Sequence, residues 1–382
     1  MAKFTRRQLG AAALFTASAA EAAETSYTGA LDGFESKLPM AKFDPVDWTL
    51  QRYNEMPRKL QFRAANRKAA EAWQKKLRPK IVELLGGFPS TRTPLAPQTL
   101  DTKTFPTYRR EKFVIETRPG MMSLGYLLTP LNAKGPVPVV ICVPGHGRGV
   151  DDIVGIDAKG QPRFDKAGYQ HDFAIQAVEA GMAAIAVEPM AFGCRRDART
   201  KKRGLGNSAC QPTAGAALLF GETMIAWRVY DIMRTIDWIE TRPELDAKRV
   251  GCMGISGGGT CTTFAAAVEP RIRAAMVSGY LNSFRDSILS LAHCIDNYVP
   301  GILQWAEMSD VAGLIAPRPL FMESGDKDDI FPVEASRKCF QDLQAIYSTF
   351  EAGDRVGHEV FPGEHSFHGG RGIPFLKKAL TT

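Results

Sequence analysis

The sequence predicts an α/β fold in which helices cover both faces of a mostly parallel sheet. Most of its short apolar runs are continuous rather than alternating, as expected of strands that are buried on both faces. Helical patterns separate these runs along the chain, as in a sheet built from β-α-β units. Two further strand patterns, at residues 112–117 and 122–129, flank Pro119 and Gly120 and predict an antiparallel hairpin at the start of the sheet.

The composition excludes several classes of protein. The chain has 382 residues, of which 45% are hydrophobic and 23% charged, values that exclude a wholly disordered, collagen-like or coiled-coil chain. The net charge is +7, but the 48 basic residues mostly interleave with the 41 acidic ones. The densest basic stretch, residues 195–203, is interpreted as a solvated surface loop, with an anion contact as the alternative. We therefore expect no nucleic-acid partner.

Residues 1–23 are predicted to be a twin-arginine export signal. Arg6 and Arg7 precede a mildly apolar run at residues 9–20, and Ala-Glu-Ala at 20–22 offers a cleavage site. The alternative is a short basic helix that belongs to the fold. The run is too short to span a membrane, and no later segment has the roughly 18 uninterrupted apolar residues of a membrane helix. We expect a periplasmic or secreted protein without a membrane span after cleavage.

Residues 24–107 are predicted to form a helical N-terminal extension followed by a linker. Apolar side chains recur there at a spacing of three or four: Trp73, Leu77, Ile81 and Leu84. Pro79 is expected to kink or divide this helix. Residues 90–106 contain three prolines and are predicted to be a linker rather than an element. The main domain is expected at residues 108–382.

The alternating part of the sheet follows the hairpin. Its strands are predicted at residues 137–143, 183–187, 250–255, 274–278, 320–323 and 356–361. The helices that separate them are predicted at residues 170–180, 222–241, 258–268 and 333–347. The second of these helices ends at Arg242, before Pro243.

A serine lies where a predicted strand meets a predicted helix, in Gly254-Ile255-Ser256-Gly257-Gly258. A side chain at so tight a turn needs a strained backbone and small neighbours, which Gly254 and Gly258 supply. We predict that Ser256 is a nucleophile. The alternative is a glycine-rich turn with a buried or capping serine.

A serine hydroxyl needs a base, and in this kind of sheet the chain order is serine, acid, histidine. His365 follows the last predicted strand and is the predicted base. His368 is the alternative, and His358 is expected to be structural because it begins a strand. Asp328 is the predicted acid, in the loop after the strand at 320–323.

Two neighbours compete with Asp328 for the role of the acid. Asp326 and Asp329 lie in the same loop and are more simply turn formers or helix caps.

An oxyanion hole needs two backbone donors aimed at one point. The N–H of Gly257 is the predicted first donor. The second is predicted to come from Gly147 or Arg148, in the glycine-rich turn after the strand at 137–143, where His146 is expected to shape the turn. This turn matches no phosphate-binding or dinucleotide-binding motif.

The seven cysteines are an odd number spread through a long chain and do not predict a disulfide scaffold. Most are interpreted as small buried hydrophobic residues. Cys194 and Cys210 bracket a loop rich in Arg, Lys and Gly, and a disulfide between them is left open. The cysteines and the six histidines are not expected to cluster as zinc ligands do. We expect neither a metal nor an organic cofactor.

Together these motifs resemble the α/β-hydrolase superfamily, over roughly residues 108–380. The serine turn, the Gly-x-x-Asp-x-x-x-Pro loop at 325–332 and the His-x-Phe at 365–367 occur in the order of that superfamily. Further stretches resemble its acetyl xylan esterase-like branch, near the dienelactone hydrolases and prolyl oligopeptidases. They are Arg242-Pro243-Glu244-Leu245-Asp246, Asn297-Tyr298-Val299-Pro300-Gly301 and Ala316-Pro317-Arg318-Pro319.

The resemblance implies an α/β-hydrolase fold and a carbohydrate ester or related carboxylester substrate, cleaved through an acyl-enzyme. The sequence differs from the neighbouring groups of the superfamily in two expected features. It has a serine where dienelactone hydrolases have a cysteine, and it lacks the propeller-sized N-terminal domain of prolyl oligopeptidases. An insert at residues 190–219 is expected to roof the pocket. The candidates for substrate contacts are Phe192, Arg195, Tyr298 and Trp305, with packing or surface roles as alternatives. A serine peptidase and a catalytically silent carbohydrate-binding protein remain alternative functions.

Overall fold

The computed structural model describes residues 29–382, so the predicted export signal lies outside the described residues. The chain divides into two compact units, one ending at Arg52 and the other spanning Tyr53–Thr382. Helix α1 (Pro45–Glu55) begins in the first unit. None of the described helices combines the length and the apolarity needed to cross a membrane.

The second unit alternates strands and helices along most of its length. In residues 53–382 the strands are β1 (Gln98–Thr104), β2 (Tyr108–Arg118), β3 (Met121–Pro130), β4 (Val137–Val143), β5 (Ala183–Val187), β6 (Leu245–Ile255), β7 (Ile272–Ser278), β8 (Leu320–Gly325) and β9 (Val356–Phe361). The helices of the same residues are α2 (Arg67–Leu84), α3 (Phe173–Glu179), α4 (Ala198–Lys201), α5 (Cys210–Leu219), α6 (Met224–Ile239), α7 (Gly257–Val268), α8 (Met308–Gly313), α9 (Val333–Thr349) and α10 (Gly372–Thr381).

The strands form one sheet in the order β1-β2-β3-β5-β4-β6-β7-β8-β9. Strands β1, β2 and β3 pair antiparallel, β3 pairs antiparallel with β5, and all pairs from β5 to β9 are parallel. The predicted hairpin and the predicted parallel sheet are therefore confirmed. Because the strands alternate with helices, both faces of the sheet are covered.

The core lies on both faces of this sheet. In β4, Val139, Ile141 and Val143 enter one apolar cluster, whereas Val140 and Cys142 enter a second cluster on the opposite face. All seven residues of β4 are buried. A strand buried on both faces reads as a continuous apolar run, which is why its bounds could be predicted from sequence.

Part of the predicted linker is wrong, and the N-terminal helix is not divided at Pro79. Residues 98–104 are not linker but strand β1, whose residues are all exposed, so that the strand has no apolar alternation to reveal it. Helix α2 also continues through Pro79 without a break. Pro79 is exposed, so the carbonyl that loses its N–H partner can be hydrated, while buried Trp73 and Ile81 hold the helix on the core.

Helix α2 is part of the second compact unit. Its buried Leu77 and Ile81 belong to the same apolar cluster as the core strands. The side chain of Gln74 donates a hydrogen bond to the carbonyl of Ala316 at 2.8 Å. The division of the chain at Arg52 and Tyr53 therefore does not coincide with the expected boundary at residues 107 and 108.

Candidate active site

Ser256 occupies the turn between β6 and α7 with a left-handed backbone, φ 56° and ψ −123°. Such a conformation costs a non-glycine residue about 1–3 kcal/mol and persists only where its surroundings impose it. A Cβ on Gly254 would lie 2.5 Å from the carbonyl oxygen of Gly258, and a Cβ on Gly258 would overlap the carbonyl oxygen of Val143. The turn therefore needs the glycines on either side of the serine.

His365 and Asp328 come together at the carboxyl ends of the neighbouring strands β8 and β9. The Nδ1 of His365 donates to Oδ2 of Asp328 at 2.8 Å. The other carboxylate oxygen accepts the N–H groups of Ile330 and Phe331, both at 2.9 Å. The carboxylate is almost fully buried, so these bonds fix the orientation of the imidazole.

The imidazole of His365 lies between two aromatic rings. Tyr169 stacks on it at 5.7 Å between centroids and Phe331 at 5.6 Å. A Cβ on Gly279 would lie 2.9 Å from Cε1 of His365, so only glycine leaves room for the ring. Within the described residues, the buried Nε2 of His365 has no hydrogen-bond partner. The ring is thus held in place with one nitrogen free to accept a proton.

Ser256 and His365 line the same cavity of about 430 Å³. They do not hydrogen-bond to each other in this conformation, because Nε2 of His365 is unpartnered. The other residues that line the cavity are His146, Tyr169, Leu291, Ala292, His293, Cys294, Asn297 and Ile330. The structure therefore brings the predicted nucleophile and base to one site, while their catalytic roles stay a prediction.

The alternative histidines lie elsewhere. His358 is 3.1 Å from the hydroxyl of Ser324, and burial, followed by the charge of Arg337, lowers its pKa to about 4. His368 stacks on Phe361 with 4.7 Å between ring centroids. Neither lines the cavity that contains Ser256.

The alternative acids do not contact His365. Asp326 accepts the N–H of Gly363 at 2.9 Å, as expected of a turn former. Asp329 is exposed. Of the three aspartates in this loop, Asp328 is the one that the structure pairs with His365.

A second buried carboxylate supports the histidine loop and was not predicted. Glu323, near the end of β8, accepts the N–H groups of His368 at 2.9 Å and Gly369 at 2.8 Å. Burial raises the pKa of the Glu323 carboxyl. The sequence signal for such a residue is an acidic side chain inside an otherwise apolar strand pattern.

One of the predicted oxyanion donors is wrong. The N–H of Arg148 donates to Oδ2 of Asp152 at 2.7 Å, so it is not available to a substrate oxygen. Gly147 remains the candidate in this turn. Gly257 opens helix α7, where the first N–H groups have no acceptor inside the helix. A Cβ on Gly257 would lie 3.2 Å from the His146 ring, so the two segments are in close contact.

The turn that carries His146 is fixed from both sides. Gly145 donates its N–H to Oε1 of Gln170 at 2.8 Å. The hydroxyl of Tyr169 donates to the carbonyl oxygen of His146 at 2.7 Å. These bonds are consistent with the expectation that the turn positions backbone donors.

A cluster of ionisable side chains forms part of the cavity wall, because two of its members, His146 and Cys294, line the cavity. We call it the Cys-His cluster and define it by His146, Cys210, Cys294 and Asp296, with Arg228 alongside. The Nε2 of His146 lies 3.3 Å from Oδ2 of Asp296 and 3.6 Å from the sulfur of Cys210. Arg228 donates to the same Asp296 oxygen at 2.6 Å. The expectation that cysteines and histidines do not cluster is wrong in three dimensions.

Charges within the Cys-His cluster change the protonation of its members. Burial acts to lower the pKa of His146, but hydrogen bonds to Asp296 and Cys210 outweigh it and raise the pKa to about 9. A hydrogen bond from Cys294, together with the charge of Arg228, lowers the pKa of Cys210 to about 5 although burial opposes this. All seven cysteines lie within the described residues, and each is a free thiol there.

Three of the four predicted substrate contacts are wrong. Phe192 is fully buried and packs on the His146 ring at 4.8 Å between centroids. The side chain of Arg195 is almost fully buried and donates to Asp231 at 2.6 Å. Trp305 lies beneath the ammonium groups of two lysines and lines neither this cavity nor its larger neighbour.

Tyr298 remains a candidate for substrate contact. It is 40% exposed and lines a larger cavity of about 1400 Å³. His293 and Cys294 line both this cavity and the one that contains Ser256, so the two are adjacent. Polar and charged residues of the insert also line the larger cavity: Asp197, Arg199, Thr200, Arg203, Ser208 and Gln211.

Comparison with known proteins gives sequence relatives of this chain. A family model described as Abhydrolase family (Abhydrolase_7) matches residues 49–342. "Putative hydrolase YtaP" of Bacillus subtilis (strain 168) is 26% identical over 294 residues, which are 72% of this chain and 89% of that protein.

Solved structures resemble the fold at lower identity. A "putative acetyl xylan esterase" from Bacteroides fragilis NCTC 9343 superposes with a TM-score of 0.76 at 19% identity, over 89% of this chain and 95% of that one. A glucuronoyl esterase from Solibacter usitatus superposes with a TM-score of 0.61 at 18% identity, over 82% and 94%. A CE15 glucuronoyl esterase from Teredinibacter turnerae T7901 gives 0.61 at 16% identity, over 87% and 90%. At these identities the likeness establishes the fold.

Proposed function

The chain belongs to the Abhydrolase family, and from this premise we propose that it is an exported serine carboxylester hydrolase that acts on carbohydrate esters. The resemblance to the α/β-hydrolase superfamily is confirmed by that membership. One observation carries the proposal: His365, paired with buried Asp328 at 2.8 Å, lines the same cavity as a serine held in a strained strand-to-helix turn. A nucleophile, a base and an acid in this arrangement are what acyl transfer requires.

The first half of the reaction forms an acyl-enzyme. Ser256 Oγ attacks the ester carbonyl carbon while Nε2 of His365 takes the hydroxyl proton. Asp328 holds Nδ1–H and stabilises the imidazolium without taking the proton itself. The carbonyl oxygen, now negative, is bound by the N–H of Gly257 and a donor from the turn at Gly147. The C–O bond then breaks and His365 protonates the departing alcohol.

The second half returns the enzyme to its starting state. His365 removes a proton from water, whose oxygen attacks the acyl carbon of Ser256. The carboxylic acid leaves and the proton passes from His365 back to the serine oxygen. The reaction so written needs no group beyond these residues and water.

The unpartnered Nε2 of His365 supports this assignment. A buried ring nitrogen without a partner is costly, so in a structural histidine it would be satisfied by a neighbouring group. In free enzymes the serine–histidine bond is often long and tightens when substrate binds. We expect the Ser256 hydroxyl to meet this nitrogen in the substrate complex.

A carbohydrate is the proposed alcohol or acid component of the ester. Sugars present many hydroxyl groups and need polar partners, which the larger cavity offers through Arg199, Gln211 and Tyr298. The structural neighbours are named acetyl xylan and glucuronoyl esterases, and this chain shares their fold. Export through the twin arginines Arg6 and Arg7 would bring the enzyme to extracellular polysaccharide.

The test is a substrate panel run on the purified protein and two matched serine variants. The panel contains p-nitrophenyl acyl esters, acetylated xylan, a methyl ester of glucuronic acid and a peptide p-nitroanilide. We expect one or more of the esters to be hydrolysed by the wild type and by S348A, an exposed serine on α9, and not by S256A. Ester hydrolysis that survives in S256A, or cleavage of the anilide alone, would contradict the proposal.

Export is tested separately. We expect the chain with Arg6 and Arg7 both replaced by lysine to stay in the cytoplasm with its N-terminus intact. The wild type should be recovered outside the cytoplasm and lack about its first 23 residues, the length of an ordinary export signal. Equal export of the two forms would contradict this part of the proposal.

A further inference from the structure

We propose that His146, Cys210, Cys294 and Asp296 form a closed site for a thiophilic divalent cation such as Zn²⁺, beside the catalytic cavity. One ligand atom from each of the four side chains lies within 4.8 Å of the other three. The inference concerns a part of the molecule that the reaction described above does not use. It is therefore independent of the identity of the ester.

The measured separations match the edges of a small tetrahedron. With bonds of about 2.0–2.1 Å to nitrogen or oxygen and about 2.3 Å to sulfur, tetrahedral ligands lie about 3.3 Å apart for N and O and about 3.5 Å apart when one is sulfur. Here His146 Nε2 and Asp296 Oδ2 are 3.3 Å apart. The sulfur of Cys210 lies 3.6 Å from that nitrogen and 3.3 Å from that oxygen. Three of the four ligands are thus already spaced for one central ion.

Cys294 supplies the fourth ligand. Its sulfur is within 4.8 Å of the other three ligand atoms. The residue is half-buried and lines the cavity that contains Ser256. An ion can therefore enter from the cavity side, where Cys294 is the most accessible of the sulfur ligands.

The charges of the site balance when an ion is bound. Two thiolates and one carboxylate carry three negative charges, which a divalent cation and the guanidinium of Arg228 together neutralise. Arg228 and Asp296 are almost completely buried, so an uncompensated charge here would be costly. Thiolate ligands select zinc-like cations over magnesium or calcium, which prefer oxygen.

Outer partners hold the ligands in place. Arg228 donates to the carbonyl oxygen of Met190 through Nε at 3.1 Å and Nη2 at 2.9 Å, which fixes its guanidinium beside Asp296. The side-chain amide of Asn297 donates to Oδ1 of Asp296 at 3.2 Å, so Asn297 does not compete with the ion for Oδ2, the oxygen that Arg228 also contacts. Thr260 in turn donates to Oδ1 of Asn297 at 2.7 Å. Such second partners orient metal ligands in proteins.

The ion would join three irregular segments of the chain. His146 lies in the turn that carries the candidate oxyanion donor, Cys210 begins helix α5 in the insert, and Cys294 and Asp296 lie in the loop before α8. Four protein ligands leave no open position for water, so the site is structural rather than catalytic. Its effect would be to fix the turn of His146 and the insert against each other.

The experiment uses the full chain, freed of metal by a chelator under reducing conditions and titrated with Co²⁺ alone. We expect one equivalent to bind, with the ultraviolet thiolate-to-cobalt absorption and the visible bands of a tetrahedral ion, and Zn²⁺ to displace it. C210S and C294S should each weaken binding at least about tenfold. C194S, in the same insert and exposed, should bind as the wild type does.

Several results would overturn the proposal. The first is the absence of thiolate-to-cobalt absorption in the reduced, folded wild type, and the second is the same absorption in C210S, C294S and C194S. The third is a Cys210–Cys294 disulfide in protein isolated without reductant, because such a bond consumes both thiolates. D296N, which keeps both thiols, guards against misfolding of the cysteine variants and should also bind Co²⁺ more weakly. The readout is metal binding, so its failure leaves the role of Ser256 untouched.

Discussion

The cavity that contains Ser256 has two sides that are built in different ways. On one side, Ser256, Asp328 and His365 each follow a strand of the parallel sheet, and parallel strands deliver their carboxyl ends to one edge. On the other side, the members of the Cys-His cluster lie in a turn, at a helix start and in an irregular loop. The sheet brings the first set together whatever its loops contain, whereas the second set depends on how irregular segments fold.

The largest expected effect is on the sheet-built side. H365A removes the proposed base, and we expect kcat for the best ester to fall about 10⁴-fold or more, because the serine proton then has no acceptor. The matched control is H368A, which replaces a histidine three residues away that stacks on Phe361 outside the cavity. Steady-state kinetics check this. Comparable losses in both variants would show that the loop, and not the imidazole of His365, matters.

D328N tests the buried acid, and a slightly smaller loss is expected. An amide at this position can no longer hold Nδ1–H of His365 or stabilise the imidazolium, so kcat should fall about 10³- to 10⁴-fold. D329N, at an exposed position in the same loop, should keep near-normal activity. Full activity in D328N would show that the 2.8 Å contact between Asp328 and His365 is not needed for catalysis.

The contrast between the two sides also explains which features the sequence could predict. The bounds of β4, β5 and β9 were predicted to the residue. Strands β4 and β5 are buried at every residue and therefore leave a compact apolar run, whereas β9 is only partly buried. Asp328 was also chosen from three neighbouring aspartates, and it is the one that contacts His365. In both cases the local sequence carries the information, since a buried strand or a loop at a strand end leaves a short, continuous pattern.

Features without a local pattern were missed. The members of the Cys-His cluster are separated by up to 150 residues, from His146 to Asp296, and no spacing rule connects them. Arg148 was predicted as an oxyanion donor, but its N–H donates a hydrogen bond to Asp152, four residues later in the chain. Strand β1 carries exposed polar side chains and resembles a loop in sequence.

Replacing Glu323 is expected to have an intermediate effect on activity, because this side chain acts on His365 only through the backbone of the histidine loop. E323A would free the N–H groups of His368 and Gly369, and we expect kcat to fall about 10- to 100-fold with a smaller change in KM. E323Q keeps a carbonyl oxygen in place and should recover much of the loss. A purely structural role would instead lower the melting temperature in E323A without the selective loss of kcat.

Replacing Glu188 is expected to have the smallest effect on activity but a clear effect on the pH dependence of stability. Burial, with the charge of Asp151, raises the pKa of Glu188 from 4.5 to about 8. The folded protein therefore binds this proton more tightly than the unfolded chain does, so the free energy of unfolding falls as the pH rises from about 4.5 to about 8. We expect E188Q to flatten that part of the profile in denaturant titrations. A profile identical to the wild type would contradict the raised pKa.

The most direct test of the central claim is covalent labelling of the native protein with a fluorophosphonate, followed by peptide mapping by mass spectrometry. The reagent reacts with serines whose hydroxyl is activated by a base. The account predicts one adduct, on Ser256, which is absent in S256A, strongly slowed in H365A and unchanged in S348A. A folded wild type that stays unlabelled, or an adduct on a different residue, would contradict the claim that His365 activates Ser256.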